Sequence, residues 1–76
     1  MTEFTARQKM EEADREVAMR RKVYPKQIAR GDLSLERANW QIEIMRAIAQ
    51  DYHRAAIAEE AEAEARRRKQ TILSGG

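Results

Sequence analysis

Side chains able to do covalent or acid–base chemistry are few in this 76-residue chain. A serine, threonine or cysteine nucleophile needs a histidine base held beside it. The only histidine, His53, falls on the polar arc of its predicted helix, while Ser34 begins a helix and Ser74 lies in the tail. We therefore expect His53 to face solvent and predict that the protein is not an enzyme.

Side chains that could bind a metal or a cofactor are equally few. The chain has no cysteine, so it offers no disulfide and no thiolate ligand, and zinc held by one histidine would depend on carboxylates. One acidic group could in principle bind a hard cation: Glu59, Glu60, Glu62 and Glu64. These residues are spread around a charged helix beside arginines, so the pattern favours a solvated face. We expect no metal and no cofactor.

Cationic side chains fall into two groups. The basic segment carries five positive charges and no acidic residue between positions 19 and 30: Arg20, Arg21, Lys22, Lys26 and Arg30. The C-terminal cationic cluster is Arg66, Arg67, Arg68 and Lys69. Either group could bind phosphates or an acidic protein surface. Cations also suit the negative end of a helix dipole, so solvated helix ends remain the alternative.

The net charge of +2 excludes one class of function. A protein that imitates DNA must copy a row of phosphates and would be heavily acidic. Binding to nucleic acid stays open, although few aromatic residues lie among the cations to stack on bases.

The strongest apolar signal lies in residues 35–52. At 100° per residue one stripe forms an ordinary core face: Leu35, Ala38, Ile42, Met45, Ala49, Tyr52 and Ala56. Trp40 falls almost opposite the middle of this stripe, and Ile44 and Ile48 step back toward it. One helical neighbour cannot cover both sets, so we predict that Trp40, Ile44 and Ile48 bind another polypeptide, as Trp-rich interface hot spots do. The alternative is a core completed by the C-terminal part folding back as a third helix, for which the sequence has no Gly or Pro signal.

The remaining signals predict an all-α helical hairpin of two long helices. A first helix begins near Thr5, with Thr2 as the alternative cap, and should kink or break at Pro25 because proline removes a backbone donor. Gly31 is the expected left-handed stop, and Ser34 should cap the second helix. We place the hairpin in residues 1–58 and a charged helical extension with a frayed end in residues 59–76.

Length and composition bound the setting of this hairpin. A single core in a chain of this size gives only marginal stability. Without disulfides or metal, the remaining source of stability is oligomerisation or binding to a larger partner. No apolar run is long enough to span a bilayer, and the first residues lack the basic and apolar regions of a signal peptide. We expect no membrane and no small-molecule substrate, and a location in the cytoplasm of a host cell.

About half of the chain, residues 17–52, resembles a group of small proteins encoded in phage and prophage genomes of proteobacteria. The matching residues are Arg20, Arg21, Tyr24, Pro25, Gly31, Ser34, Ile44, Met45, Ala47 and Ile48. The resemblance implies a phage accessory protein. Small phage proteins of this kind often bind and disable host machinery, including CRISPR and other nuclease complexes.

The sequence thus predicts a non-enzymatic protein that acts by protein–protein contact, with a host defence or nuclease complex, with itself, or with both. The alternatives are a small basic nucleic-acid-binding protein and a self-associating structural or assembly component of the phage.

Overall fold

Two α-helices make up residues 3–75, packed side by side in opposite directions. The computed structural model describes the backbone of residues 3–75 and the side chains of residues 3–70. Helix α1 spans Ala6–Ala29 and helix α2 spans Leu35–Gly75, with no strand in residues 3–75. The molecule is a rod of 67 × 23 × 19 Å. The predicted all-α helical hairpin is confirmed.

The start of α1 is fixed by a capping box. The Thr5 hydroxyl accepts a hydrogen bond from the Gln8 backbone N–H at 3.1 Å, and the Gln8 side chain accepts one from the Thr5 N–H at 2.9 Å. The pair satisfies backbone donors that a helix start leaves without partners. Thr5 is therefore the cap, as predicted, while Thr2 lies outside the described residues.

Helix α1 does not break at Pro25, so of the predicted kink or break at this residue the break is wrong. The helix continues through Pro25 to Ala29. Proline supplies no N–H for the carbonyl of Arg21, but Pro25 and Arg21 are both exposed, so water can solvate that group. The helix also ends four residues later, which limits the number of hydrogen bonds that the proline disturbs.

The turn between the helices follows the Schellman pattern. The Gly31 N–H donates to the Ile28 carbonyl at 3.0 Å, and the Asp32 N–H donates to the Gln27 carbonyl at 2.9 Å. Gly31 has φ +79°, in the left-handed region that glycine enters without steric cost. The predicted stop at Gly31 is confirmed.

Ser34 opens α2 as the sequence predicts. Its hydroxyl accepts from the Arg37 N–H at 3.1 Å, and its carbonyl accepts from the Ala38 N–H at 2.9 Å. The turn and this cap together fix where α2 begins relative to α1.

The core between the helices is thin. Of the side chains in residues 3–70, seven apolar ones are buried, five of them alanines: Ala6, Met10, Ala13, Val17, Ala38, Ala49 and Ala56. No large side chain is fully buried among the described residues. Leu35 was predicted in the core stripe but is 63% exposed, because it is the first residue of α2 and lies beside the turn. Ile42, Met45 and Tyr52 of the same stripe are half-buried.

Helix α2 is longer than its neighbour. The first residue of α1, Ala6, lies beside Glu59, so residues 61–75 extend past the end of α1. At about 1.5 Å per residue this overhang is about 22 Å long. The predicted fraying of residues 71–76 falls on positions whose side chains lie outside the described part and stays a prediction. Neither helix has, in its described residues, an apolar stretch long enough to cross a membrane.

Candidate protein-binding surface

Three large apolar side chains of α2 form an exposed strip, which we call the apolar strip. Trp40, Ile44 and Ile48 are 55%, 43% and 38% exposed. Steps of four residues turn by about 40° on a helix, so the strip runs obliquely from the back of α2 toward the groove beside α1. Helix α1 does not cover this strip, as the wide apolar arc predicted.

The strip leads into a groove of about 540 Å³ between the two helices. Its apolar lining comes from the segment before α1 and from both helices: Phe4, Ala13, Met45, Ile48 and Tyr52. Its rim is polar and includes Lys9, Glu11, Glu12 and Arg15. Because Ile48 belongs to both features, the strip and the groove form one continuous apolar surface. Phe4, 62% exposed, was not singled out in the sequence because it precedes the first helix.

Cations lie against two of the rings on this surface. The Arg37 guanidinium is 5.0 Å from the Trp40 ring centroid, and the Lys9 ammonium is 5.6 Å from the Tyr52 centroid. Such pairs are worth about 0.5–1 kcal/mol at exposed sites. They orient the rings without burying them.

Arg20 of the basic segment is engaged inside the hairpin. Its guanidinium donates to the backbone carbonyl of Gln41 at 2.7 Å and to the Glu16 carboxylate at 2.9 Å. Tyr24 donates its hydroxyl proton to the Gln41 side chain at 2.8 Å. These four residues, Glu16, Arg20, Tyr24 and Gln41, form what we call the Gln41 clamp. Sequence reasoning assigned Arg20 to a partner because nothing in the spacing shows which residue of α2 lies opposite it.

The other cations of the basic segment are exposed. Arg21, Lys22 and Lys26 have no ion pair among the described residues, whereas Arg30 lies 3.7 Å from Asp32. Arg21 also lines a second groove, of about 410 Å³, on the opposite side of the hairpin. The polar residues of that groove are Asp14, Arg21, Arg46, Gln50 and His53.

The C-terminal cationic cluster lies far from the basic segment. Arg66 is 25 residues beyond Gln41, the residue that Arg20 contacts, and therefore about 38 Å away along α2. Within the cluster, Arg67 and Arg68 pair with Glu64, the latter at 3.4 Å. Arg66 and Lys69 are exposed. The two cationic groups therefore do not combine into one patch.

Glu59 and Glu60 bind the start of α1, a role that the solvated-face interpretation missed. The Glu59 carboxylate accepts from the Ala6 N–H at 3.2 Å, where the helix dipole favours a negative charge. Glu60 pairs with Arg7 through two hydrogen bonds, one of 3.0 Å. The Arg7 hydrogen bond holds the pKa of the Glu60 carboxyl below its ordinary value, and the same bond raises the pKa of Arg7.

His53 is exposed, as predicted, but it also contacts the core. Its Nδ1 lies 3.0 Å from the sulfur of Met10, a residue that is 7% exposed. The sequence could not show this contact because it joins residues that are 43 positions apart. In the described chain no group of three or more metal-binding side chains converges.

Comparison with known proteins gives no match: no family model fits the chain, and no curated protein and no solved structure is significantly similar to it. The resemblance of residues 17–52 to phage-encoded proteins therefore stays a hypothesis.

Proposed function

We propose that this chain is a non-enzymatic helical hairpin that acts by docking its apolar strip and the adjoining groove on another polypeptide. One observation carries the proposal: Trp40, Ile44 and Ile48 are exposed in a continuous strip while the hairpin's own core is mostly alanine. Contiguous exposed apolar surface on a small protein marks an interaction site. Tryptophan is also the residue type most enriched at interface hot spots.

The thin core supports the same proposal through stability. A chain of this size with a single core is marginal by itself, and burial of apolar surface contributes only about 25 cal/mol per Å². Among the described residues only two side chains larger than alanine, Met10 and Val17, are buried between the helices, whereas seven large apolar side chains are exposed. Docking would bury those of the strip and add the missing apolar contact.

The exposed cations near the turn complement this surface. Arg21, Lys22 and Lys26 have no ion pair in the described chain. They lie toward the turn, near the level of Trp40, because Arg20 contacts Gln41, and Arg21 lines the groove on the other side of the hairpin. Exposed charges of this kind raise association rates with an oppositely charged partner more than they raise affinity. We therefore propose an acidic surface on the partner beside its apolar contact.

The same three cations favour nucleic-acid binding as the second candidate. Nucleic-acid binding has weaker support than protein binding, because Arg20 is engaged in the Gln41 clamp and the C-terminal cationic cluster lies about 38 Å from that clamp along α2. Affinity for DNA or RNA that falls steeply with salt would support it. A host defence complex such as CRISPR, or a phage assembly, enters as the partner only through the resemblance of residues 17–52.

The test is affinity capture from the source cell with matched variants. Ile44→Lys places a charge in the middle of the strip, whereas Ile57→Lys places the same charge at an isoleucine that is 55% exposed and lies off the strip. We expect the captured proteins to be lost with Ile44→Lys and kept with Ile57→Lys. Identical captures with both variants would exclude the strip as the binding surface.

A further inference from the structure

We propose that the polypeptide on the apolar strip is a second copy of this chain, bound antiparallel across a two-fold axis that passes beside residue 46. This inference rests on the proposed function and specifies its partner. Three features of the hairpin support it: the position of the strip, the distribution of charge along α1, and the area of the face.

The strip of one copy can pack against the same strip of a second copy. Residues 44 and 48 lie equally far from position 46, so antiparallel helices centred there bring Ile44 of each copy to the level of Ile48 in the other. By the same rule, Trp40 of one copy reaches the level of Tyr52 in the second copy. Tyr52 lines the apolar groove together with Phe4 and Met45, so each indole lies at the level of the other copy's apolar groove. An isologous interface requires this kind of self-complementary pairing.

Charge along α1 favours the antiparallel direction. Residues 11–16 hold four acidic side chains and one arginine, whereas the basic segment holds cations alone. The contacts of Arg7 with Glu60 and of Arg20 with Gln41 define which levels of α1 and α2 coincide. With these levels, the antiparallel dimer sets Arg20, Arg21 and Lys22 of one copy close to the level of residues 11–16 in the other, while Lys26 and Arg30 fall nearer the start of α1. A parallel dimer would place like charges together, which costs energy.

The face has the size that a stable dimer needs. The hairpin proper extends from residue 35 to about residue 60 of α2, whose midpoint lies within about two residues of position 46. Two copies therefore overlap along their whole hairpins. A face about 38 Å long and between 19 and 23 Å wide has an outline of about 700–900 Å² per copy, against about 800 Å² in a standard interface. The overhanging residues 61–75 then project at opposite ends of the dimer.

Sedimentation and fluorescence test the association on the unmodified chain. Trp40 is the only tryptophan, so its emission reports directly on the strip. Between roughly 1 and 200 µM we expect the mass to rise from 8.8 kDa to twice that value, with Trp40 emission shifting to shorter wavelength in parallel. Ile44→Lys should raise the dissociation constant about 100-fold or more by burying charge, and Ile57→Lys should leave it unchanged.

Cross-linking tests the direction of packing with no substitution among Trp40, Ile44 and Ile48. Arg37→Cys does remove the contact of the guanidinium with the Trp40 ring. The chain has no native cysteine, so introduced thiols react alone. Arg37→Cys and Ala55→Cys lie at equal distances from position 46 and on the strip side of α2. With a short thiol cross-linker, the antiparallel dimer predicts that the two variants cross-link when mixed and that Arg37→Cys alone does not. Cross-linking of Arg37→Cys to itself would overturn the antiparallel arrangement.

The two proposals fail in different ways. A chain that stays at 8.8 kDa up to about 200 µM, with folded helices by circular dichroism, overturns self-association. If Ile44→Lys still abolishes capture in that case, the strip binds a different polypeptide and the proposed function stands. If Ile44→Lys changes neither mass nor capture, both proposals are wrong.

Discussion

At the scale of single residues, Gln41 shows how one polar position can hold two helices together. Its backbone carbonyl accepts from Arg20 and its side chain accepts from Tyr24, so both of its oxygens bind α1. Arg20 has a side chain that is only 24% exposed, which sets it apart from the solvated cations that follow it. A charge within a run of charges can therefore stabilise the fold while its neighbours remain available for binding.

Arg20→Ala should lower the free energy of unfolding by about 1–2 kcal/mol, because it removes a charged donor from the Gln41 carbonyl. Lys22→Ala is the matched control, since Lys22 is exposed and an exposed substitution usually changes stability by less than about 0.5 kcal/mol. Urea unfolding followed by circular dichroism, at one fixed protein concentration, measures both. Equal effects of the two substitutions would show that the clamp contributes nothing.

At the scale of the elements, the ends of the helices are defined more firmly than the packing between them. Thr5 and Gln8 cap the start of α1, Gly31 ends it, and Ser34 opens α2. Each cap is local and satisfies backbone groups that would otherwise lack partners. The turn at Gly31 also decides the direction in which α2 returns along α1.

Gly31→Ala should lower the free energy of unfolding by about 1–2 kcal/mol through backbone strain at φ +79°. No atom lies within 4 Å of the added Cβ, so the cost does not come from a clash. Gly31→Asn should lower the free energy of unfolding by less than Gly31→Ala does, because asparagine tolerates the left-handed region better. The urea midpoints of the two variants, compared with wild type, check this order. An alanine variant as stable as the asparagine variant would contradict the strain argument.

At the scale of the whole molecule, the hairpin body is closed at one end by the turn and at the other by two carboxylates. Glu59 accepts from the first N–H of α1, and Glu60 pairs with Arg7. These contacts fix the level at which α1 begins along α2. Past them, α2 continues without α1, which gives the molecule a hairpin body and a charged single-helix overhang.

Acid should weaken this closed end. The pKa of Glu60 is lowered in the folded chain, mainly by its hydrogen bond with Arg7. The pair therefore stabilises the folded chain fully at pH values above the ordinary glutamate pKa of about 4.3. This stabilisation is lost as the pH falls through the lower pKa that Glu60 has in the folded chain. Glu60→Gln should lower the free energy of unfolding at neutral pH. The difference in this free energy between the variant and wild type should shrink toward zero in acid.

Urea unfolding at several pH values between about 7 and 3 measures that difference. Glu62→Gln is the control, since Glu62 is an exposed glutamate on the same helix and has no ion pair among the described side chains. A constant difference between Glu60→Gln and wild type across this range would show that the Arg7 pair does not contribute.

The features that the sequence predicted correctly are those that depend on neighbours in the chain. Thr5, Gly31 and Ser34 act within four residues of themselves, so their capping roles follow from residue type and order. The exposed position of Trp40 opposite Ala38 and Ala49 follows from helical periodicity, which needs no knowledge of α1. Pro25 is the exception, because its cost depends on how exposed the affected carbonyl is and how soon the helix ends.

Sequence alone determined that the chain forms two helices, where the turn lies, and that α2 has more apolar circumference than one neighbour can cover. Only the tertiary structure decided which residues meet across the hairpin: Arg20 with Gln41, His53 with Met10, and Glu60 with Arg7. The reason is that capping and periodicity act over a few residues, whereas these contacts depend on how far one helix slides along the other. That sliding is set by the turn at one end of the hairpin and by the contacts of Glu59 and Glu60 with the start of α1 at the other, and the latter join residues 53 positions apart.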